Sequence, residues 1–302
     1  MARFGAVVTA MVTPFGPDGS IDLEGAALVA RHLASSGSEG IVVAGSTGEG
    51  SVLTDEERLD LFSAVVAAVD IPVIASTGTN DTAHSVMLTK AARARGVHGI
   101  LAVTPYYNRP SPAGISAHFR AIAGATDLPV VLYDIPVRSG RRIGPALTLE
   151  LARDCPTIVA VKDATGDVAA AATVVADSPD GFEVYCGDDS LTLPFAAVGS
   201  VGVISVAAHW AGGYFAEMLR CHRAGEVARA ATVNHHLAGS YRFQSTDEFP
   251  NPVPAKAACR VLGLPVGQCR LPNTPGSESL EGQARGVIDA LARFDLSPQS
   301  VA

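Results

Sequence analysis

The chain has 302 residues, of which 48% are hydrophobic and 17% charged, with a formal net charge of -8. This is the composition of a globular protein with a large core, and it argues against a nucleic-acid surface or a patch for anionic membranes. The five cysteines (Cys155, Cys186, Cys221, Cys259 and Cys269) form no CxxC. A disulfide framework or zinc site is therefore not expected, and a reduced, cytoplasmic setting fits.

The opening stretch MARFGAVVTAMVTPF has one arginine and then apolar residues, the outline of a short signal peptide. The lone charge and the early Pro14 favour a buried first strand over residues 6–10 instead. No run of 18 apolar residues follows, so no membrane span is expected.

Further strand-like runs fall at 40–44, 72–75, 100–103, 129–133, 158–162, 182–186 and 201–206. Most are continuously apolar rather than alternating, which suits parallel strands covered on both faces. Segments with helical spacing lie between them, among them 23–35, 55–69, 82–95, 112–123 and 145–153. Thr54-Asp55-Glu56-Glu57 has the form of a capping box. Strand–helix alternation repeated eight times predicts an α/β fold, a (β/α)8 TIM barrel with a C-terminal helical extension. A doubly wound open sheet is the second choice, weakened by the lack of a GxGxxG fingerprint. Past the eighth strand only helical segments remain, at 214–223, 226–237, 254–262 and 279–294, punctuated by EFPNPVPAK and LPNTP. The expected division is a barrel with the active site over 1–224 and a helical domain over 225–302.

Only three of the 22 basic residues are lysines (Lys90, Lys162 and Lys256), and Lys162 ends the sixth run in TIVAVKDATG. Active sites of such barrels gather where strands end. Apolar walls disfavour a charged ammonium, and a neutral amine can attack a carbonyl to form a Schiff base. The plain alternative is a lysine that snorkels outward or pairs with Asp163.

Other strand ends converge on the same place. GSTGE sets Ser46 and Thr47 between glycines, so backbone N–H groups can approach a carboxylate; an ordinary turn with capping hydroxyls would read the same. In TPYYNRPS the adjacent Tyr106 and Tyr107 point opposite ways if extended, one to the barrel mouth and one to a partner chain. LYDIPVRSG places Tyr133 at a strand tip and Arg138 in the next loop, a proton carrier and a carboxylate clamp. Asp188-Asp189 lacks a third metal ligand and suggests loop ordering; Gly187 beside it permits close approach. No HExxH or comparable metal spacing occurs, and no metal is expected. An amine, a phenol, hydroxyls and an arginine together suit carbon–carbon bond chemistry at a 2-oxo acid.

On GSTGE, YDIP, VKDATG, TPYYNRPS and Arg138, the chain resembles the dihydrodipicolinate synthase family of the pyruvate-dependent, class I aldolase-like superfamily. The resemblance runs from TPF at 13–15 to NPVPAK at 251–256. It implies a lyase that condenses pyruvate with L-aspartate 4-semialdehyde in lysine and diaminopimelate biosynthesis, as a cytoplasmic homotetramer with no cofactor. It implies that Lys162 forms the Schiff base, Tyr133 moves protons, Thr47 relays them to Tyr107, and Tyr107 comes from the neighbouring subunit. Ser46 and Thr47 would hold the pyruvate carboxylate, Arg138 the aldehyde's carboxylate, and Gly187 and Ile204 would line the pocket. Departures are Ser46 for a second threonine, Gly50 for serine and Asp134 for a common asparagine. Lysine-inhibited members use Ser, His and Glu where this chain has Gly50, Arg58 and His84, so weak or absent lysine feedback is expected. The alternatives are a sibling sugar-acid or N-acetylneuraminate aldolase and, more remotely, a non-catalytic binding barrel.

Overall fold

Eight parallel strands close on one another in sequence order in the computed structural model, which describes residues 2–296. They are β1 (Val7–Ala10), β2 (Gly40–Val43), β3 (Val73–Ser76), β4 (Gly99–Val103), β5 (Val130–Asp134), β6 (Ile158–Asp163), β7 (Glu183–Cys186) and β8 (Gly202–Ser205). β1 pairs with both β2 and β8, which completes the ring. The apolar run near the N-terminus is thus a barrel strand. All eight expected strands are present, with ends shifted by a residue or two, as strand ends read from a sequence usually are.

The helices follow in alternation: α1 (Leu23–Ser35), α2 (Asp55–Val66), α3 (Thr82–Arg93), α4 (Pro112–Ala123), α5 (Pro136–Ser139), α6 (Gly144–Asp154), α7 (Val168–Asp177), α8 (Thr192–Ala197) and α9 (Ala208–Arg223). Asp22, Asp81, Ser111 and Asp167 each accept a backbone N–H at a helix start. The expected capping box is formed at α2: Thr54 accepts from the Glu57 N–H, and Glu57 accepts from the Thr54 N–H. Among the described residues no helix is long and apolar enough to cross a membrane.

Side-chain alternation divides the core in two. Val8, Val42, Ile74, Leu101, Tyr185 and Ile204 point into the barrel and pack with Tyr133. Their neighbours Val7, Ile41, Val43, Val73 and Val203 point outward into a larger cluster under the helices.

Beyond α9 come α10 (Val227–Phe243), α11 (Val253–Val261) and α12 (Glu278–Ala292). α9 starts six residues before the expected 214. Its second turn contains Gly212 and Gly213, and just before them Ala211 leaves helical geometry at φ -131°. The kink hides the helical period until Tyr214.

The extension is tied to the barrel by buried charge. Lys256 of α11 places Nζ 2.7 Å from Glu49 Oε1, with both side chains 1% exposed. Nζ also donates to the Gln268 carbonyl at 2.8 Å. The backbone N–H of Arg270 donates to Glu49 Oε2, also at 2.8 Å. The Arg270 guanidinium grips Glu57 and holds its carboxyl down to about 2, chiefly through that hydrogen bond. Lys256 and Arg270 both lie over the Phe15 ring, at 4.2 and 4.3 Å from its centre.

Removing one partner of a desolvated pair strands the other charge. Lys256→Met is expected to cost about 3–5 kcal/mol in urea unfolding. A loss below about 1 kcal/mol would mean that Glu49 is not a desolvated charge in the folded protein.

Candidate active site

Lys162 and Tyr133 face each other because their strands are in register. β5 and β6 pair Tyr133 with Lys162 and Asp134 with Asp163. Ala160 and Tyr133 belong to the inward cluster, so the period of two carries Lys162 inward as well. Both are 5% exposed, and Lys162 Nζ lies 4.2 Å from the Tyr133 ring centre. Among the described residues Lys162 makes no ion pair, so the alternative of pairing with Asp163 is not what the structure contains. Asp163 instead accepts from the Thr165 N–H and hydroxyl, which shapes the loop after β6.

Backbone bonds beyond the strand ends hold this geometry. Thr104 N donates to Tyr133 O, Ala164 N to Asp134 O, and Gly187 N to Asp163 O, at 3.0, 2.9 and 2.7 Å. Gly187 packs directly against the lysine stem. A Cβ there would lie 2.8 Å from Ala164 Cβ and 3.1 Å from Lys162 Cγ, so a side chain would force the loop after β6 to shift and would crowd the lysine stem. Ile204 lies deeper, in the inward cluster with Tyr133.

Tyr133 forms part of the wall of a cavity of about 330 Å³, which Ser46, Tyr106 and Arg138 also line. Arg138 is exposed on α5 and offers a guanidinium at the mouth. Ser46 is exposed toward this space, whereas Thr47 is 3% exposed and is not part of its wall. The Thr47 hydroxyl accepts from Asn251 Nδ2 at 3.0 Å. The two hydroxyls of GSTGE therefore diverge, and the one expected to relay protons is turned toward the extension.

The GSTGE loop itself is tightly made. Ala44 and Glu49 have φ of 55° and 54°, in the left-handed region. A Cβ on Gly50 would fall 2.1 Å from the Ala44 carbonyl oxygen, which explains glycine at this position in this conformation. Thr13 donates to Gly48 O at 2.6 Å and closes the loop onto the end of β1.

The two tyrosines separate, but not through strand alternation, because the backbone turns left-handed at Tyr107. Tyr106 lines the cavity; Tyr107 is 89% exposed, with φ 68°. Asn108 pins their loop by donating to Tyr106 O and Asn80 O, each at 2.8 Å. Tyr107 is not in the wall of its own chain's cavity.

Two buried carboxyls brace the site from behind. Asp134 Oδ2 accepts from Ile143 N and Gly144 N, while Oδ1 is buried without a partner. Burial pushes its carboxyl up to about 6; the two backbone donors oppose this and the nearby Asp163 adds to it. Asp189, fully buried, accepts from Val206 N and Ala207 N and links the loops after β7 and β8; burial raises it likewise to about 6. Asp188 accepts from Ser190 N and its hydroxyl. The acidic pair thus orders loops, and no cluster suited to a metal ion occurs among the described residues.

Sequence reading gave no role to Asn251, and the motif NPVPAK served only to bound the resemblance. A signal was available: an Asn set between prolines after a helix, ahead of one of three lysines.

The arrangement is a buried amine against a phenol, opening to a cavity with a hydroxyl and an exposed guanidinium. That suits a small carboxylate-bearing carbonyl compound. Comparison with known proteins points the same way. The model of the dihydrodipicolinate synthetase family matches residues 3–291. A 4-hydroxy-tetrahydrodipicolinate synthase of Symbiobacterium thermophilum is 46% identical over 292 residues, covering 95% of this chain and 98% of the relative. One of Moorella thermoacetica is 50% identical over 272 residues, covering 89% and 92%. The solved structure of the Cyanidioschyzon merolae enzyme with lysine bound superposes with a TM-score of 0.93 at 41% identity, covering 97% of this chain and all of that one.

Asp134 makes a pH-dependent contribution to stability. Its folded value lies above the ordinary 3.8, so between about 3.8 and 6 the folded state holds more protons and stability falls as pH rises. Asp134→Asn is expected to gain about 1–3 kcal/mol at pH 8, with the advantage fading toward pH 4. Denaturant unfolding across this range checks it; a gap independent of pH would refute the assignment.

Proposed function

The chain belongs to the dihydrodipicolinate synthetase family, and from that membership we propose how its residues carry the reaction. Its activity is that of a 4-hydroxy-tetrahydrodipicolinate synthase, a Schiff-base-forming lyase of lysine and diaminopimelate biosynthesis. The substrates proposed are pyruvate and L-aspartate 4-semialdehyde. The observation that supports this reading most directly is Lys162 Nζ 4.2 Å from the ring centre of Tyr133, which separates the amine from the cavity whose wall Tyr133 helps to form.

Lys162 attacks the C2 carbonyl of pyruvate, and loss of water gives an imine. The imine draws electrons from the methyl group, a proton leaves, and an enamine forms. The enamine carbon attacks the aldehyde carbon of the second substrate, and the new alkoxide takes a proton. The amino group of that substrate then displaces Lys162 and closes the ring. The phenol of Tyr133 is the proton carrier. Arg138, exposed at the mouth, receives the aldehyde's carboxylate. Backbone N–H groups at Ser46 and Thr47 hold the pyruvate carboxylate. The Lys162 imine is itself the electron sink, so the steps use no cofactor.

We assign the hydroxyl relay to Ser46 rather than Thr47, because Ser46 lines the cavity and Thr47 is engaged by Asn251. The relay passes to Tyr107 of a neighbouring copy, a role suited to an exposed tyrosine outside its own chain's cavity wall. This makes the working form an oligomer, a cytoplasmic homotetramer in our reading. We place the domain division at residue 224, with the extension after it bracing the catalytic loop.

Turnover of pyruvate with L-aspartate 4-semialdehyde, coupled to the next reductase, tests this. Lys162→Ala should fall at least ~10³-fold. Ser46→Ala should lose about 10–100-fold in kcat while Thr47→Ser stays within about threefold; the reverse order returns the relay to Thr47. No wild-type turnover, with a pyruvate adduct still trapped by borohydride, would move the assignment to a sibling aldolase. No adduct at all would leave a binding barrel.

Lysine feedback is weak in this reading. Arg58 replaces a histidine, and His84 replaces a carboxylate and is occupied by Asp55 at 2.9 Å. Millimolar lysine at fixed pH should change the rate less than about twofold, and strong inhibition would contradict the reading.

A further inference from the structure

Many surface arginines of this chain are neutralised: Arg93, Arg95, Arg120, Arg142 and Arg220 each hold a carboxylate. Arg109, Arg138 and Arg141 are exposed and meet none among the described residues. These three are gathered at the mouth of the cavity. Arg138 lines it from α5, and Arg141 follows Gly140, the residue that caps that helix. The stem of Arg109, from the loop after β4, lies against the same glycine: a Cβ on Gly140 would be 3.6 Å from Arg109 Cγ and 3.9 Å from its Nε. Arg141 Nε donates to the Arg109 carbonyl at 3.3 Å, which holds the two segments side by side.

The sequence around them carries no opposing charge. No Asp or Glu occurs between Asp81 and Asp127, or between Asp134 and Glu150, in a chain with 30 acidic residues and a net charge of -8. The carboxylates that border the segment after β5 are already engaged. Asp134 accepts from the Ile143 and Gly144 N–H groups, Asp163 from Thr165, and Asp167 from Arg142 and the Ala170 N–H. A protein that repels anions as a whole therefore carries a cationic rim where its cavity opens. Like charges around a low-dielectric cleft focus the field and raise the local concentration of the opposite ion. That field reaches about 30 Å at 0.01 M salt and about 3 Å at 1 M.

The two proposed substrates differ in what this field does to them. Near neutral pH pyruvate is an anion, whereas L-aspartate 4-semialdehyde pairs one ammonium with one carboxylate and has no net charge. We propose that Arg141 and Arg109, beside Arg138, form a cationic vestibule that selects pyruvate by its net charge and concentrates it at the cavity mouth. The inference rests on the functional reading above and adds two residues that act through the field, without touching the reacting atoms.

The test titrates pyruvate alone, reduces the adduct with borohydride, and counts it by the mass of the denatured chain. At about 0.01 M salt, Arg141→Ser should raise the half-saturating pyruvate concentration about two- to fivefold, and Arg141→Glu about five- to twentyfold. At about 0.5 M salt both differences should shrink below about 1.5-fold. Arg141→Lys keeps the charge and should match wild type within about 1.5-fold, which a role fixed by the guanidinium's shape would not allow. Arg153→Ser makes the same change in net charge in the last turn of α6, next to the start of β6 and so at the opposite end of the barrel, and should leave the titration unchanged. In turnover, Arg141→Glu should raise the KM for pyruvate while kcat and the KM for the aldehyde stay within about twofold. An adduct in wild type whose half-saturation ignores Arg141→Glu at low salt would overturn this proposal alone. So would a rise that persists at high salt, or one that Arg153→Ser reproduces. No adduct in wild type at any pyruvate concentration would overturn the functional reading and this proposal with it.

Discussion

The buried pair of Glu49 and Lys256 is the constraint on which the rest of the site depends. It joins the loop after β2 to a helix about two hundred residues later in the chain. Burial pulls the Lys256 ammonium down, and Glu49 opposes that loss. Such a pair adds little net stability over an apolar substitute, yet it tolerates only one geometry. That geometry sets the GSTGE backbone, with Glu49 in the left-handed region and the Arg270 N–H on its second oxygen. The same loop carries Ser46 into the cavity and Thr47 to Asn251. The clamp therefore decides which hydroxyl a ligand meets.

A second division of labour comes from the two-residue repeat of a strand. At the ends of β5 and β6, Tyr133 and Lys162 face inward, where the chemistry is proposed to occur. Asp134 and Asp163 lie one step along each strand and serve the opposite side, holding Ile143, Gly144 and Thr165. A slip of one residue would exchange reactive groups for structural ones. The ladder across the strand ends, from Thr104 to Gly187, makes that slip costly.

Much of this was legible in the sequence. Eight apolar runs at strand length, separated by capped helices, specify a closed parallel barrel because each signal is local. Lys162 and Tyr133 were legible for the same reason, since each ends its own run. What escaped reading depends on distance in the chain or on rotation of a single residue. Asn251 meets Thr47 from 204 residues further along the chain, and no local pattern encodes that contact. Ser46 and Thr47 are adjacent hydroxyls in a loop, and only left-handed backbone on either side decides which one turns inward. The kink at Ala211 concealed the start of α9 because it breaks the very period used to detect a helix.

The ring of strands is complete once β8 has been made, at residue 205. The clamp on its catalytic loop is not. Asn251, Lys256 and Arg270 all follow, so a chain emerging from the ribosome has a whole barrel before it has a set loop. Residues after 250 thus act as the last part of the active site to be synthesised. A truncated product that stops short of them would carry every reacting side chain and still lack the shape that arranges them.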